Sequence, residues 1–156
     1  MNRALLAILV TNHFGVLTKV TGLFSRRGYN IKALSVGETD DSAISRITIL
    51  TEGDELKLQQ IYHQVSKLED VKEASILPEG SYLEKELTLI KVNPQKRLEN
   101  FLSVIAAYKA KAFEFEPSFY LVEFCDSMEN VTRLIEELKG FNIIELSRTG
   151  PTALQL

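Results

Sequence analysis

The sequence predicts an α+β protein built from two βαββαβ units in tandem. Three observations carry that prediction. Over residues 4–77, strand-like apolar runs and apolar stripes at helical spacing follow one another as strand, helix, strand, strand, helix, strand. The same order returns over residues 87–147, which marks a structural repeat. Between the two, Pro78-Glu79-Gly80-Ser81 reads as a linker, dividing the chain into domains 1–78 and 79–156. This order is that of the ferredoxin-like unit, one antiparallel sheet with two helices on one face.

In the first unit, Ala4 to Val10 is an apolar strand that runs into a polar turn, and Gly15 then opens a helix. Val16, Leu17, Val20, Leu23 and Phe24 form its apolar stripe. Ser25-Arg26-Arg27 places cations in the last turn, and Gly28 stands where a left-handed residue ends a helix. Residues 31–39 form a second strand, ending in the turn formers Asp40-Asp41-Ser42. In Ile44 to Thr51, Ile47 and Ile49 alternate with Arg46, Thr48 and Leu50, as expected of the hairpin partner. Gly53-Asp54 stops that strand and caps a helix bearing Leu58, Ile61, Val65 and Leu68, and Val71 to Leu77 closes the unit.

In the second unit, Leu87 to Val92 is a strand, and Pro94 is expected near the first turn of a helix carrying Leu98, Phe101, Leu102, Ile105 and Tyr108. Lys111 to Glu116 alternates, Pro117-Ser118 makes a turn, and Phe119 to Cys125 is the partner strand. Asp126-Ser127 caps a helix with Met128, Val131, Leu134, Ile135 and Leu138 on one face; Gly140 ends it, and Phe141 to Ser147 is the last strand. The tail, Arg148 to Leu156, contains Gly150-Pro151 and is expected to be loosely held. Units this small expose sheet edges, so pairing with further copies of the chain is expected.

Composition narrows the functional classes. The formal net charge of −3 disfavours general binding to nucleic acid or to an anionic membrane. The single cysteine, Cys125, excludes an internal disulfide and reads as a buried structural thiol in a reducing compartment. Met1-Asn2-Arg3 before Ala4 to Val10 imitates a signal peptide, but the apolar core is short and no A-x-A-like site follows, so a buried strand and a cytoplasmic protein are expected. No segment approaches the ~20 apolar residues of a membrane span. His13 and His63 lack the spacing of a metal site, and no phosphate-binding loop, nucleophile elbow or paired acid and base is recognisable.

The chemistry-bearing stretch is Thr11 to Ile31. The head of its helix leaves backbone N–H groups and a partial positive charge beside the carboxamide of Asn12. A free amino acid needs its carboxylate, ammonium and side chain satisfied together. The amides of Gly15, Val16 and Leu17 can take the carboxylate. The carboxamides of Asn12 and Asn30 can accept from the ammonium or donate to the carboxylate, and apolar neighbours can cover a short side chain. A helix terminus contributes up to ~2 kcal/mol, a charge-assisted hydrogen bond about 1.5–3, and a buried aliphatic side chain about 1.5–3. After immobilisation is subtracted, this corresponds to roughly micromolar to millimolar affinity, which suits a metabolite sensor. The same residues also read as an N-cap (Asn12), a turn glycine (Gly15) and the exit from a helix (Asn30), and pattern alone does not choose between the two readings.

A resemblance does choose. Asn12-His13-Phe14-Gly15-Val16-Leu17, Gly22-Leu23-Phe24-Ser25-Arg26-Arg27-Gly28-Tyr29-Asn30-Ile31, Val36-Gly37-Glu38-Thr39 and Ser45-Arg46-Ile47-Thr48-Ile49 resemble the regulatory (small) subunits of acetolactate synthase, or acetohydroxyacid synthase. The likeness continues through Gly53-Asp54-Glu55, Gln60-Ile61, Gln64 to Leu68, Glu84 to Val92 and Arg148-Thr149-Gly150, so it covers nearly the whole chain. It implies an N-terminal ACT domain that binds effector and dimerises, followed by a C-terminal ACT-like domain. In the wider ACT family two asparagines bind amino-acid effectors across a domain interface, and the matching positions are Asn12 and Asn30. The implied effector site is Asn12, His13, Phe14, Gly15, Val16, Leu17, Asn30 and Ile31. Phe14 departs from the family's usual proline, which frees the loop backbone and bears on ligand choice. Val92-Asn93-Pro94-Gln95 replaces the glycine turn in the second half, so no equivalent effector site is expected there.

The resemblance further implies a non-catalytic subunit that activates a catalytic (large) subunit and confers feedback inhibition by a branched-chain amino acid, usually valine. Thiamine diphosphate, magnesium and FAD are expected on that partner and none on this chain. An ACT-domain sensor acting on a different enzyme is the alternative. An RNA-recognition module shares the element order, but Ile44 to Thr51 carries no aromatic residue for base stacking. A stand-alone enzyme using His13 or Arg46 lacks a recognisable acid or base partner.

Overall fold

The computed structural model describes residues 2–115 and 119–156. In chain order the elements are β1 (Asn2–Thr11), α1 (Val16–Arg26), β2 (Ile31–Glu38), β3 (Ile44–Gly53), α2 (Glu55–Val65), β4 (Val71–Leu77), β5 (Tyr82–Val92), α3 (Leu98–Tyr108), β6 (Lys111–Phe115), β7 (Phe119–Asp126), α4 (Met128–Leu138), β8 (Ile143–Arg148) and β9 (Thr152–Gln155). Contacts divide the chain into two compact units: one runs to Leu83 and includes Pro151–Leu156, and the other is Glu84–Gly150.

In the first unit the strands pair antiparallel in the order β2-β3-β1-β4, which is the ferredoxin-like arrangement. The two inner strands are also the most buried, since each has a neighbour on both edges. Leu6, Ile8 and Val10 of β1 meet Ile47 and Ile49 of β3 beneath Val20 and Phe24 of α1 and Ile61 and Val65 of α2. Leu17, predicted on the apolar stripe of α1, is instead 38% exposed, because Val16, Val20, Leu23 and Phe24 already fill the core-facing arc.

Local signals set the helix ends. Gly28 has φ +68°; its N–H donates to Ser25 O (3.1 Å) and that of Tyr29 to Phe24 O (2.9 Å), the paired bonds of a Schellman cap. Asp54 caps α2, its Oδ1 accepting from Lys57 N–H at 2.8 Å.

The tail does not match the expectation that it is loose. Thr152–Gln155 is a strand that pairs with β5 and lies against β1, with Ala153 2% exposed. Ser35 Oγ donates to Pro151 O at 2.7 Å, and Leu156 N–H donates to Ser81 O at 2.9 Å. A segment this short carries too little alternation to announce a strand, and it gains order from its pairing with β5 and from the sheet face it covers.

The second unit repeats the order as β6-β7-β5-β8. Ile90, Val122 and Phe124 of the sheet pack with Phe101 of α3 and Val131, Leu134 and Leu138 of α4. Ser127 caps α4, its Oγ accepting from Asn130 N–H at 3.2 Å. A 3-10 turn, Lys139–Phe141, passes through Gly140, and it is Asn142 (φ +59°) that takes the left-handed conformation. Pro94 lies ahead of α3 rather than in its first turn: Arg97 N–H closes a turn on Pro94 O (3.0 Å), and the helix starts at Leu98. The predicted turn at Pro117-Ser118 lies outside the described residues.

Cys125 is exposed, against expectation. It pairs with Leu87 on the face away from the helices, whereas Val122 and Phe124 point inward. An apolar run shows that a strand exists, but not which of its two parities faces the core.

Candidate functional site

The loop between β1 and α1 carries four of the eight predicted residues, Asn12 to Gly15, and Val16 and Leu17 open α1 directly after it. Gly15 caps α1 with φ +86° and no side-chain hydrogen bond, a conformation that favours glycine. A Cβ there would meet nothing within 4 Å, so it is the backbone angle that calls for glycine, not a lack of space. Lys19 N–H is the first to bond back into the helix, to Gly15 O (3.0 Å), and Val16 N–H makes a long turn bond to His13 O (3.4 Å). Among the described residues the amides of Gly15, Leu17 and Thr18 have no acceptor. The helix head therefore presents unpaired N–H groups at two of the three predicted positions, Gly15 and Leu17, with Thr18 in place of Val16.

Asn12 is held by its neighbours and does not cap the helix. Its backbone N–H donates to Ala43 O (2.7 Å), and its Nδ2 donates to Glu38 Oε1 (3.0 Å) and Ser42 O (2.9 Å). The turn after β2 thus braces the loop from one side.

Asp70 braces it from the other. Its Oδ1 lies 2.8 Å from His13 Nε2 and 3.3 Å from Thr11 Oγ1, while its Oδ2 accepts from Lys19 Nζ at 2.6 Å. His13 Nδ1 lies 3.2 Å from Phe14 O, so both ring nitrogens face oxygen acceptors. The hydrogen bond from Lys19 holds the Asp70 carboxyl below the usual carboxylate range, and His13 adds to this against the opposing effect of desolvation. Lys19 is raised in turn, chiefly by its hydrogen bond to Asp70.

Phe14, at the tip, is 102% exposed, Leu17 stands out beside it, and Val16 turns inward at 3%. Asn30 and Ile31 lie past the far end of α1. Ile31 packs at the edge of the core; the Asn30 carbonyl accepts from Thr51 Oγ1 at 2.8 Å, and its exposed carboxamide has no partner among the described residues. An 11-residue helix separates Asn30 from Asn12, which is roughly 16 Å of rise at 1.5 Å per residue. Within one chain the two carboxamides do not converge on one small molecule.

Two bracing residues were missed in the sequence. Glu38 lies in the Val36-Gly37-Glu38-Thr39 stretch, where nothing local gives it a role, and Asp70 precedes a strand with no motif around it. On the sheet face opposite the helices a concavity of ≈ 540 Å³ opens among Leu9, Ile44, Arg46, Glu38 and the tail residues Thr152 and Leu154. Among the described residues no group of three or more His, Cys, Asp or Glu side chains could hold a metal ion. No helix among them is long and apolar enough to cross a membrane.

Residues 6–73 match the family model described as AHAS small subunit-like ACT domain, and residues 85–156 match that described as small subunit of acetolactate synthase. The chain belongs to the acetolactate synthase small-subunit family. It is 35% identical over 154 residues to the acetolactate synthase isozyme 3 small subunit of Salmonella typhimurium, covering 97% of this chain and 94% of that protein. It is 34% identical to the acetolactate synthase small subunit of Aquifex aeolicus, covering 99% and 82%. The crystal structure of the Thermotoga maritima small subunit matches with TM-score 0.91 and 28% identity over 100% of this chain and 98% of that one. The tandem ferredoxin-like architecture is thus that of a small-subunit structure along its whole length. As a small subunit the chain is a regulatory, non-catalytic component.

Proposed function

We propose that this small subunit binds a branched-chain amino acid, valine first, at the head of α1, and that the bound state governs a catalytic acetolactate synthase subunit. The observation that carries this reading is the row of N–H groups at Gly15, Leu17 and Thr18, without acceptors among the described residues, beside the braced carboxamide of Asn12. A carboxylate fits the N–H row, an ammonium fits the Asn12 oxygen, and Phe14 and Leu17 stand ready to cover an aliphatic side chain.

In this reading Asn30 serves the site of a second copy, since one helix length keeps it from Asn12 of its own chain. The working form is then a homodimer through the ACT domains, with His13 and Ile31 supporting the two halves of each site. Effector inhibits by binding one arrangement of the assembly more tightly than another, and linkage requires the catalytic partner to alter effector affinity equally. Without effector the small subunit raises the partner's activity. Thiamine diphosphate, magnesium and FAD belong to the catalytic subunit, and the complex works in the cytoplasm.

Calorimetric titration of valine into the full chain tests the site, with sedimentation alongside. Asn12→Ala and Asn30→Ala should each weaken binding about tenfold or more, as expected for loss of a charge-assisted hydrogen bond. Undiminished affinity in both would place the site elsewhere.

A further inference from the structure

The bracing of Asn12 has a consequence for which ligands the site accepts. Nδ2 carries two hydrogens, and each has an acceptor within the chain, Glu38 Oε1 at 3.0 Å and Ser42 O at 2.9 Å. Turning the carboxamide over would set Oδ1 against a carboxylate and a carbonyl with no hydrogen between them. The orientation is therefore fixed by Glu38 and Ser42 together. The backbone N–H of Asn12 is also engaged, by Ala43 O at 2.7 Å. Asn12 offers a ligand an oxygen and no hydrogen.

The head of α1 offers the opposite, N–H groups at Gly15, Leu17 and Thr18. One end of the site donates and the other accepts, with the negative charge of Glu38 behind the accepting end. We infer that Glu38 is a positioning residue: it locks the Asn12 carboxamide with its oxygen outward and so makes the site require a hydrogen-bond donor, best a protonated amine, next to the ligand's carboxylate. This rests on the effector reading above and deepens it. The ligand class becomes acids that carry a hydrogen-bond donor on the α-carbon, free α-amino acids first, to the exclusion of the 2-oxo acids of the same carbon skeleton. A 2-oxo acid would set its carbonyl oxygen against Oδ1 and leave both acceptors without a proton.

The test uses the full chain as wild type, Glu38→Gln and Glu38→Ala. L-Valine and 3-methyl-2-oxobutanoate are titrated by calorimetry, and the side-chain NH₂ signal of Asn12 is followed by NMR without ligand. Wild type should prefer valine by about tenfold to a hundredfold, the span expected of a hydrogen bond to a charged group. Glu38→Gln still presents an oxygen to Nδ2 and should keep most of that preference. Glu38→Ala frees one Nδ2 hydrogen and loosens the carboxamide, which can then donate to a ligand, so the preference should fall about tenfold and the NH₂ signal should shift and exchange faster. A valine preference unchanged in Glu38→Ala overturns the inference, whatever the amide signal does. Should wild type bind neither acid, it is the effector reading that fails. The role of Glu38 is then judged on the NH₂ signal: one unmoved by Glu38→Ala overturns it, and one that shifts retains the positioning.

Discussion

Asp70 lies 2.8 Å from the Nε2 of His13, a residue 57 positions earlier in the chain. That contact joins the loop ahead of α1 to the start of β4, and Lys19 reinforces it from the first turns of the helix. The loop is held between two carboxylates, Glu38 on one side and Asp70 on the other. Asp70→Asn keeps the shape and weakens the hold, so valine affinity should fall about threefold to tenfold while the fold persists. Calorimetry and circular dichroism on the same samples check this, and unchanged affinity would mean that the loop does not need the anchor.

The same cluster sets a pH dependence. The Asp70 carboxyl is depressed below its ordinary 3.8, first by the hydrogen bond from Lys19. Its contribution is complete above the unfolded value and disappears as pH falls through the lower folded value. Lys19 is raised above 10.5, so its contribution holds below that value and is lost as pH rises through the folded one. Asp126, depressed by Lys85, adds to the acid loss, while Glu84, raised by burial, opposes it. Between about pH 5 and 9 these groups should leave stability nearly flat. Below about pH 4, wild type should lose more stability than Asp70→Asn. Equal loss in the two, followed by thermal unfolding, would contradict the anchor.

In the second unit Glu86 is 3% exposed and accepts from Arg148 through both oxygens, at 2.9 and 2.6 Å, and from Gly150 N–H at 3.2 Å. Arg148→Ala leaves that carboxylate buried without its cation, which should cost about 3 kcal/mol in urea unfolding. A loss under about 1 kcal/mol would place the pair among ordinary surface bridges.

The tail is expected to matter to the first unit. Ala153 is 2% exposed against a sheet face that also buries Leu5 and Ala7. Ala153→Asp buries a charge without a partner and should destabilise by about 2–4 kcal/mol, with increased binding of an apolar dye. A neutral outcome would show that the tail is dispensable there.

Cys125 should react with a thiol reagent in the native protein as fast as in urea, because it is exposed. Strong native protection would return it to the buried role that its apolar surroundings first suggested.

The fold was legible because its signals are local. Periodicity located the two units, Gly28 and Asp54 marked helix ends, and Ile47 and Ile49 fixed the inner parity of β3. Cys125 misled because its strand alternates with Val122 and Phe124, and all three are apolar. The loop residues Asn12 and Gly15 stood out through spacing and resemblance. Glu38 and Asp70 did not, since their bonds to Asn12 and His13 span 26 and 57 residues and exist only once the sheet has formed. Asn30 was legible as a residue, but the length of α1 assigns it to the opposite end from Asn12.

The most direct measurement is the structure of the full chain with saturating L-valine. The ligand carboxylate is expected against the amides of Gly15, Leu17 and Thr18, with its ammonium on Asn12 Oδ1 and Asn30 of a second copy closing the site. An empty turn at the head of α1, with valine ordered anywhere else, would contradict the account.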